Sequence, residues 1–538
     1  MIGGGIYGAC IAWEAVLRGL SVALLEREDF GGQTSSNSQK IIHGGFRYLQ
    51  HADFKRMREH IRERTTFMKI APHLVHPMPV VIPTYGHGMR GKEIFALALA
   101  IYDLVSFDRN RLEDSFKHIP RGKILSKGEL FDSVPNLPQD GVTGGAVFYD
   151  AQVYNSERFL LAFLKSAEKL GCDMANYMNV TDFITGKGRI AGVMAKDAFT
   201  GDEIPVQAKM TVNAGGPWIY QILGLLDQYR SHKKFPLVKS VNVVTPLLFP
   251  SYAVGIYGKM RYSDKDAFLD KGTRLFFVTP WRGLSVVGTA LSYYEGNPDE
   301  LEVTREDVQN FLDDFNQASP LAQVQIRDVR LIQKGFLPSS GLDAGGNVQI
   351  SKKYRILDHS KEGLSGLMSV MGVKYTTARD VAEKTVDLIF KIWGKTSPPS
   401  KSSTTVLHGG KIERLQEFLS QAIEKRPRGF TEERIKHLVE NYGSGFEEVL
   451  QLVERNETRT EGLSFKDVLR AEILYGIREE MAMKLSDVVM RRTELGSAGN
   501  PGEEMLAFCA SVMGKEMGWN VQRTQAELEE VRKIYVFF

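Results

Sequence analysis

The first apolar positions of the chain follow a helical period and then run together, which predicts a helix followed by a buried strand. Gly19 is a common type of residue just past a helix, and the short apolar run 20–25 has the length of a strand buried in a parallel sheet. That run ends on Glu26. The helical positions are Ile11, Ala12, Ala15 and Val16.

Patterns farther along divide the chain into an α/β part, a part rich in strands and a helical end. An amphipathic helix begins at Ser156 as its cap, and strand patterns dominate from 220 to 338. A Ser/Pro-rich linker at 397–403 precedes helical periods, of which 465–490 is the clearest helix. Basic residues in a predicted helix at 51–69 indicate a solvated face, with contact to anionic lipid or a partner as the alternative. They are Lys55, Arg56, Arg58, Arg62 and Arg64.

The composition is that of an ordinary globular chain. With 538 residues, of which 43% are hydrophobic, the chain is too long for one core, so two or three domains are expected. A net charge of +3 gives no support for binding nucleic acid. The spacing of the three cysteines, Cys10, Cys172 and Cys509, is that of neither a metal site nor a disulfide framework. We therefore expect no metal site, and we expect a reducing cytoplasmic location. The apolar run 94–105 is too short to span a bilayer, and we expect a buried helix there rather than an interfacial anchor.

Three glycines at the start of the chain have the spacing of a dinucleotide-binding turn. Gly3, Gly5 and Gly8 form G-x-G-x-x-G directly before the predicted helix, whose N-terminus favours a pyrophosphate. Glu26 lies about 20 positions after Gly3, as expected for an acid that binds a ribose hydroxyl. Only two residues precede Gly3, so we expect a first strand that is either much shortened or incomplete at its start. An ordinary turn without a ligand is the alternative.

Small hydroxyl residues and glycines crowd the segment after this unit. His43 precedes Gly44-Gly45, a pair that permits close packing of the backbone against a flat ring. Arg47 and Tyr48 follow and carry groups that bind anions. Three further side chains can donate hydrogen bonds to phosphate oxygens without bulk. They are Thr34, Ser35 and Ser36.

These segments match one known family in combination. The sequence T-S-S-N-S-Q-K-I-I-H-G-G-F-R-Y-L at 34–49, after the glycine fingerprint at 2–19, resembles the FAD-dependent glycerol-3-phosphate dehydrogenases and oxidases. The resemblance runs over nearly the whole chain. It implies an α/β FAD-binding Rossmann-like domain of the glutathione-reductase type, a β-rich substrate domain and a C-terminal all-α domain. The expected boundaries are 1–75, 145–220 and 340–396 for FAD binding, 76–144 and 221–339 for the substrate domain, and 404–538 for the helical domain.

Two later segments resemble the family's remaining cofactor contacts. Ala214-Gly215 ends a predicted strand that is expected to return to the dinucleotide. Residues 371–379, M-G-V-K-Y-T-T-A-R, resemble the family's G-G-K-x-T-T-x-R. This match assigns Gly372 and Thr376 to FAD and Lys374 to a substrate phosphate. A helix beginning at Gly372 would direct its N-terminal dipole at the flavin.

The same resemblance shows where this chain departs from the family. The substrate-facing arginine of the family's G-V-R-P-L is Leu337 here, a histidine on an earlier strand is Asn242, and an aspartate is replaced by Leu291. A second basic position is kept only as Lys352. Each lost guanidinium removes a contact worth roughly 1.5–3 kcal/mol, so the identity of the substrate is open although the fold is not.

The resemblance implies oxidation of sn-glycerol 3-phosphate to dihydroxyacetone phosphate, with hydride transfer to FAD and electrons passed to quinone or oxygen. Arg47, Tyr48 and Lys374 are expected to bind the phosphate, and His43 is a candidate base for which a structural role is equally open. The alternatives are a same-fold FAD oxidoreductase for another hydroxy or amino compound, and a flavin-binding scaffold without turnover. Peripheral contact with the inner face of a membrane and homodimerisation are further expectations.

Overall fold

The computed structural model of the protein describes residues 1–186, 188–229, 236–261, 273–343, 346, 348–454 and 464–538. Its helices are α1 Ile6–Leu17, α2 Phe54–Ile70, α3 Lys92–Val105, α4 Lys127–Ser133, α5 Ser156–Glu168, α6 Ile219–Leu223, α7 Arg305–Ala318, α8 Ala378–Ile392, α9 Leu415–Glu424, α10 Glu432–Tyr442, α11 Phe446–Glu454, α12 Phe465–Glu480, α13 Leu485–Asp487, α14 Glu503–Met517 and α15 Val521–Ile534. Its strands are β1 Ala23–Leu25, β2 Ile41–Ile42, β3 Val75–Tyr85, β4 Lys123–Ser126, β5 Val142–Val153, β6 Asp173–Ala175, β7 Met178–Gly186, β8 Arg189–Asp197, β9 Glu203–Gln207, β10 Thr211–Asn213, β11 Leu237–Pro246, β12 Ala253–Arg261, β13 Thr273–Trp281, β14 Leu284–Tyr294, β15 Leu331–Leu342, β16 Val348–Ile350, β17 Arg355–Asp358 and β18 Leu367–Met371.

A small sheet carries the glycine turn, and Ile2 is its central residue. Ile2 forms parallel bridges to Leu25 on one side and to Asn213 on the other, which joins the pair β1–β6 to the strands β10–β18–β17. The carbonyl of Ile2 also accepts a hydrogen bond from the N–H of Ala214 at 2.8 Å. In this structure Ile2 is the bridging residue before the glycine turn, and Gly3 leaves the sheet at its carboxyl end.

Helix α1 packs behind this sheet between α5 and α8. It is buried nearly all round, and the ring of Trp13 contacts the ring of Phe163 edge-on at 5.3 Å between centroids. Gly8 permits the close approach of the helix to the turn, because a Cβ there would lie 1.8 Å from the carbonyl oxygen of Gly3. The packing holds the N-terminus of α1 against the glycine turn.

A ten-stranded sheet forms the second layer, in the order β16-β15-β11-β14-β13-β12-β3-β5-β2, with β4 beside β5. Its strand pairs are antiparallel except β12 with β3. The expected boundary at 144/145 is wrong, because β5 pairs with β3 from Val142 to Val153 and therefore belongs to this sheet. The sheet also continues past the expected end at 339, where β16 pairs with β15.

The apolar run at 94–105 forms α3, but the expectation of a buried helix is wrong. Leu99 and Tyr102 are its buried residues, whereas Leu97 is 59% and Leu104 is 75% exposed. Phe107, just past the helix, is 70% exposed. Helix α3 therefore presents an apolar face to solvent. Within the described residues, no helix combines the length and the apolar character needed to cross a bilayer.

The basic residues of α2 do not form one solvated face. Arg64 is fully buried and donates to the hydroxyl of Tyr102 at 2.9 Å. Arg58 pairs with Asp108 at 2.6 Å, and Arg56 turns toward the cleft described below. The exposed basic residues of the helix are Lys55, Arg62 and Lys69.

Two helix boundaries differ from the sequence predictions. The cap of α5 is Asn155, whose side chain accepts from the N–H of Arg158 at 3.0 Å, and not Ser156. The stretch 465–490 is not one helix, because Met481 takes a left-handed φ of 57° and ends α12. The sequence around Met481, from 477 to 490, contains no glycine or proline that would predict a break at this position.

Buried ion pairs join the C-terminal helices to the layer of the small sheet. Asp29, in the loop after β1, accepts from two guanidinium nitrogens of Arg492 at 2.7 Å each and also pairs with Arg491. Burial alone would raise the pKa of Asp29, but Arg492 and Arg491 outweigh that effect and lower it. Nearby, Arg158 of α5 pairs with Glu480 of α12 at 2.6 Å. The helical domain is therefore fixed to the back of the glycine turn.

Candidate active site

A cleft of about 1330 Å³ opens between the two sheets. Sites for one small ligand commonly measure ~300–1,000 Å³, so this cleft can hold a dinucleotide together with a substrate. Most of the residues predicted from the sequence line it. They are Gly3, Gly5, Glu26, Thr34, Ser35, His43, Gly45, Arg47, Tyr48, Ala214, Gly215, Gly372, Lys374 and Thr376.

Three predicted residues lie behind the lining. Gly8 packs on the turn, as described above. A Cβ at Gly44 would lie 2.3 Å from the hydroxyl of Tyr102, on the side of α2 and α3. The carbonyl of Ser36 accepts from the ammonium of Lys40 at 2.7 Å. The structure thus shows packing and support contacts for these residues, and their contacts with FAD stay a prediction.

One end of the cleft has the parts of a site for an adenosine diphosphate. Gly3 has a φ of 98°, and a Cβ there would lie 2.7 Å from the carbonyl oxygen of Ala214, so glycine is required. Gly5 caps α1 and has no side chain over the helix N-terminus; Ser35 Oγ stands there and accepts from the N–H of Ile6 at 3.1 Å, at a position that favours a phosphate. Glu26 accepts from the N–H of Gly4 at 2.6 Å, and burial raises the pKa of its carboxyl group.

The second cofactor segment is tied to the first by Tyr7. Its hydroxyl donates to the carbonyl of Lys374 at 2.6 Å and accepts from the N–H of Lys374 at 3.1 Å. A Cβ at Gly372 would lie 2.0 Å from the ring of Tyr7, which explains the glycine. The predicted helix start at Gly372 is wrong, because the chain stays extended there and α8 begins only at Ala378.

His43 is oriented by a carboxylate that the sequence predictions did not include. Its Nδ1 lies 2.9 Å from Asp150 Oδ2, and Asp150 Oδ1 accepts from the N–H of Gly44 at 2.6 Å. A carboxylate can only accept, so Nδ1 carries the proton and Nε2 is the basic nitrogen. Among the described residues Nε2 has no hydrogen-bond partner, and the side chain is 42% exposed toward the cleft. This is the arrangement that a general base needs.

Lys374 begins a hydrogen-bonded chain along the wall of the cleft. Its Nζ donates to the hydroxyl of Tyr48, which lies 3.0 Å from His60 Nε2. His60 Nδ1 lies 3.3 Å from the carbonyl of His43, which only accepts, so Nδ1 is protonated and Nε2 accepts from Tyr48. The tyrosine oxygen is therefore free to receive the bond from Lys374.

Lys374 lies close to two other cations, Arg47 and Arg56. Burial, together with Arg47 and Arg56, lowers the pKa of Lys374 to about 7. Burial raises the pKa of Tyr48 to about 12, and it lowers that of His60 well below its usual value. Near neutral pH, the cluster can therefore gain or lose one positive charge at Lys374.

The residues that depart from the family also line the cleft. Asn242 on β11 is buried and accepts from the hydroxyl of Thr289 at 2.9 Å. Leu291 on β14 and Leu337 on β15 present apolar side chains to the same space. Lys352 lines the cleft as well. The sheet that roofs the cleft is thus less cationic than the resemblance implies for the family.

Among the lining residues that the sequence predictions did not assign to the site are Arg56, His60 and Asp150. Arg56 and His60 stand four positions apart, so one face of α2 carries both, and this spacing was a usable signal. Asp150 interrupts the apolar run of β5, where a charged residue costs free energy unless it has partners. An isolated acid in a buried strand was the second signal.

The cleft fits FAD in its cradle and in its polar groups. The glycine turn and the acid after β1 suit the adenosine diphosphate half. At the other half, the buried Nε2 of Gln39 has no partner among the described residues, and Gln39 lines the cleft. A buried donor without an acceptor costs about 1–3 kcal/mol, which a bound flavin would offset by accepting from it. Fold and site together define an FAD-dependent oxidoreductase.

Comparisons with known proteins give the family. Residues 1–376 match the FAD dependent oxidoreductase family, and residues 400–524 match the C-terminal domain of alpha-glycerophosphate oxidase. The glycerol-3-phosphate dehydrogenase of Synechocystis sp. is 30% identical over 98% of this chain and 94% of its own. The mitochondrial glycerol-3-phosphate dehydrogenase of Mus musculus is 32% identical over 100% of this chain and 73% of its own.

A solved structure agrees with these sequence matches. The glycerol-3-phosphate dehydrogenase from Bacillus halodurans, complexed with FAD, has a TM-score of 0.76 at 25% identity and covers 99% of this chain and 93% of its own. The chain belongs to the family of FAD-dependent glycerol-3-phosphate dehydrogenases and oxidases. The predicted cofactor FAD and the predicted fold class, with its C-terminal helical domain, are confirmed.

Proposed function

We propose that the protein oxidises sn-glycerol 3-phosphate to dihydroxyacetone phosphate. One observation carries the proposal: an imidazole held by Asp150 and a cationic cluster at Lys374 share one cleft with a dinucleotide cradle. A phosphorylated alcohol needs both groups, a base for its hydroxyl and cations for its phosphate. The relatives named above point to the same substrate.

The side chains divide the work between binding and proton transfer. Arg47 and Lys374 bind the phosphate, and the hydroxyl of Tyr48 orients Lys374 from the other side. His43 takes the proton of the secondary hydroxyl on Nε2, while Asp150 stabilises the imidazolium that forms. Bound FAD supplies the hydride acceptor.

Anaerobic titration of the purified flavoprotein with glycerol 3-phosphate tests this function. We expect stoichiometric bleaching of the oxidised flavin band. Lys374→Gln should need a much higher concentration for the same bleaching. If the band stays unchanged while another hydroxy or amino compound bleaches it, the alternative substrate class is correct. If no such compound bleaches it and dithionite does, the protein is a scaffold without turnover.

We further propose that the electrons pass to a membrane quinone, with the protein resting on an anionic bilayer through α3. Helix α3 lines the cleft with Ile94 and Phe95, and it exposes Leu97 and Leu104 to solvent. Such a helix connects the cleft to the apolar phase from which a quinone arrives. The exposed ring of Phe107 lies 5.3 Å from the guanidinium carbon of Arg58, a pairing that suits the lipid headgroup region.

Cosedimentation with vesicles of phosphatidylcholine and phosphatidylglycerol tests the contact. Leu104→Ser should weaken binding several-fold, and Leu321→Ser, an equally drastic change at an exposed leucine outside α3, should not. Equal binding of both variants would remove α3 from the proposal. Faster reoxidation by oxygen than by a soluble quinone analogue would favour an oxidase. Homodimerisation stays a prediction, which the mass in solution tests.

A further inference from the structure

Arg56 of helix α2 lines the same cleft as Leu337, the residue that replaces the family arginine. The inference rests on the proposed function, because it concerns how the substrate phosphate is bound. Leu337 leaves the β15 side of the cleft without a guanidinium. Arg56, in the first turn of α2, lines the same cleft. The helix dipole disfavours a cation in the first turn, and the ion pair of Arg56 with Asp53, the cap of α2, offsets that cost.

The geometry holds the guanidinium of Arg56 toward the cleft. Its Cζ lies 5.0 Å from the ring centroid of Tyr48, and its Nε pairs with Asp53, the cap of α2. Its Nη1 lies 3.4 Å from the carbonyl of Lys352, while Nη2 has no hydrogen-bond partner among the described residues. Nε and Nη1 are thus engaged, and Nη2 is the nitrogen left to donate into the cleft.

Backbone contacts connect the segment beside Arg56 to β15 next to Leu337. The residue before Lys352 is Ser351, and its N–H donates to the carbonyl of Pro338 at 2.8 Å. Pro338 directly follows Leu337. The segment that Arg56 contacts is thus hydrogen-bonded to the residue next to Leu337, and Arg56 and Leu337 line the same cleft.

The charge distribution agrees with an anion site at this place. Lys374 Nζ lies 4.6 Å from the ring centroid of Tyr48, on which Arg56 also packs. Burial lowers the pKa of Lys374, and the charges of Arg47 and Arg56 lower it further. Like charges gathered around one partly buried ring repel one another, and a phosphate among them would relieve that repulsion. We propose that Arg56 is a specificity-determining residue that binds the substrate phosphate in place of the guanidinium absent at Leu337.

Titration of the oxidised holoenzyme with inorganic phosphate, followed by the flavin difference spectrum, tests the proposal without turnover. Arg56→Gln should raise the Kd for phosphate about ten-fold or more, because a charge-assisted contact is lost. Arg62→Gln, the same change at an exposed position of α2, should stay within two-fold of the wild type. Adding Leu337→Arg to Arg56→Gln should restore the Kd to within about three-fold, a rescue that a merely structural role of Arg56 would not produce.

The outcomes separate this inference from the proposed function. If glycerol 3-phosphate bleaches the wild-type flavin and Arg56→Gln leaves the phosphate Kd within two-fold, the inference is wrong and the function stands. If glycerol 3-phosphate does not bleach the wild type, the function is wrong, and the phosphate titration still decides the role of Arg56. Should Arg56→Gln fail to fold, Arg56→Lys keeps the charge without the fork. Arg56→Lys should raise the Kd for phosphate about three-fold, and an unchanged Kd would overturn the inference.

Discussion

Replacing Asp150 by asparagine exchanges one carboxylate oxygen for an amide nitrogen and is expected to move the imidazole proton of His43 from Nδ1 to Nε2. Asp150 is 3% exposed and accepts from two donors, the N–H of Gly44 and Nδ1 of His43. Asparagine has one acceptor oxygen, which the short bond from Gly44 at 2.6 Å retains. Its amide then donates to Nδ1, and the imidazole proton moves to Nε2. The nitrogen that faces the cleft can no longer accept a proton.

The loss of rate follows from the contribution of a positioned base. General-base catalysis is worth about 10²- to 10⁴-fold, or roughly 2.7–5.5 kcal/mol of barrier. We therefore expect the flavin of Asp150→Asn to be reduced at least 100-fold more slowly at saturating glycerol 3-phosphate. Binding of inorganic phosphate should stay within three-fold, because the cations of the cleft are unchanged.

Anaerobic stopped-flow absorbance of the flavin band measures this rate constant between pH 6 and 9. Asp108→Asn is the matched control, since Asp108 also pairs with a basic residue but does not line the cleft. His43→Gln should lose rate to a similar extent, and combining it with Asp150→Asn should add little. A reduction rate within three-fold of the wild type in Asp150→Asn would refute the role of His43 as the base.

Three further predictions concern charge, cofactor affinity and packing. Burial and two facing arginines lower the pKa of Lys374 to about 7, so its ammonium is present below that pH and lost above it. The Kd for sulfate, whose charge is constant, should therefore rise from pH 6 to pH 8.5 and should not do so in Lys374→Gln; a flat wild-type profile contradicts this. Glu26→Gln should weaken FAD binding about 10-fold or more, measured by quenching of FAD fluorescence on the apoprotein, and an unchanged Kd would exclude the ribose contact. Gly372→Ala should push aside the ring of Tyr7 and cost about 1–3 kcal/mol, seen as a lower melting temperature. Gly128→Ala, where a Cβ meets open space, is its control, and equal melting temperatures would show that the contact yields freely.

The cofactor half of the cleft could be predicted from the sequence because its chemistry is local. The spacing of Gly3, Gly5 and Gly8, and the acid at Glu26, follow from the backbone geometry of one βα unit. Roles that depend on distant partners could not be assigned in this way. Gly8 leaves room for the carbonyl of Gly3, and Gly44 leaves room for the side chain of Tyr102, both behind the residues that line the cleft. The spacing of glycines in the sequence does not show on which side each of them is needed.

The substrate half depends on side chains that meet across long separations. Asp150 reaches His43 over 107 positions, and Lys374 reaches Tyr48 over 326. A local pattern records that such residues are polar but not which partner they have. The same limit explains α3: an apolar run predicts burial, and only the packed structure shows that Leu97 and Leu104 stay exposed in this chain.

The pairing of Asp29 with Arg491 and Arg492 makes the flavin domain dependent on a neighbour that contributes nothing to the chemistry. A chain cut in the 397–403 segment would keep every group that lines the cleft, yet it would expose an uncompensated carboxylate directly behind the pyrophosphate turn. Removing one side of a buried ion pair costs about 3–5 kcal/mol, a large part of the stability of any domain. The linker therefore marks a change of sequence composition but does not separate two independently stable domains. The two parts of the chain are expected to unfold together.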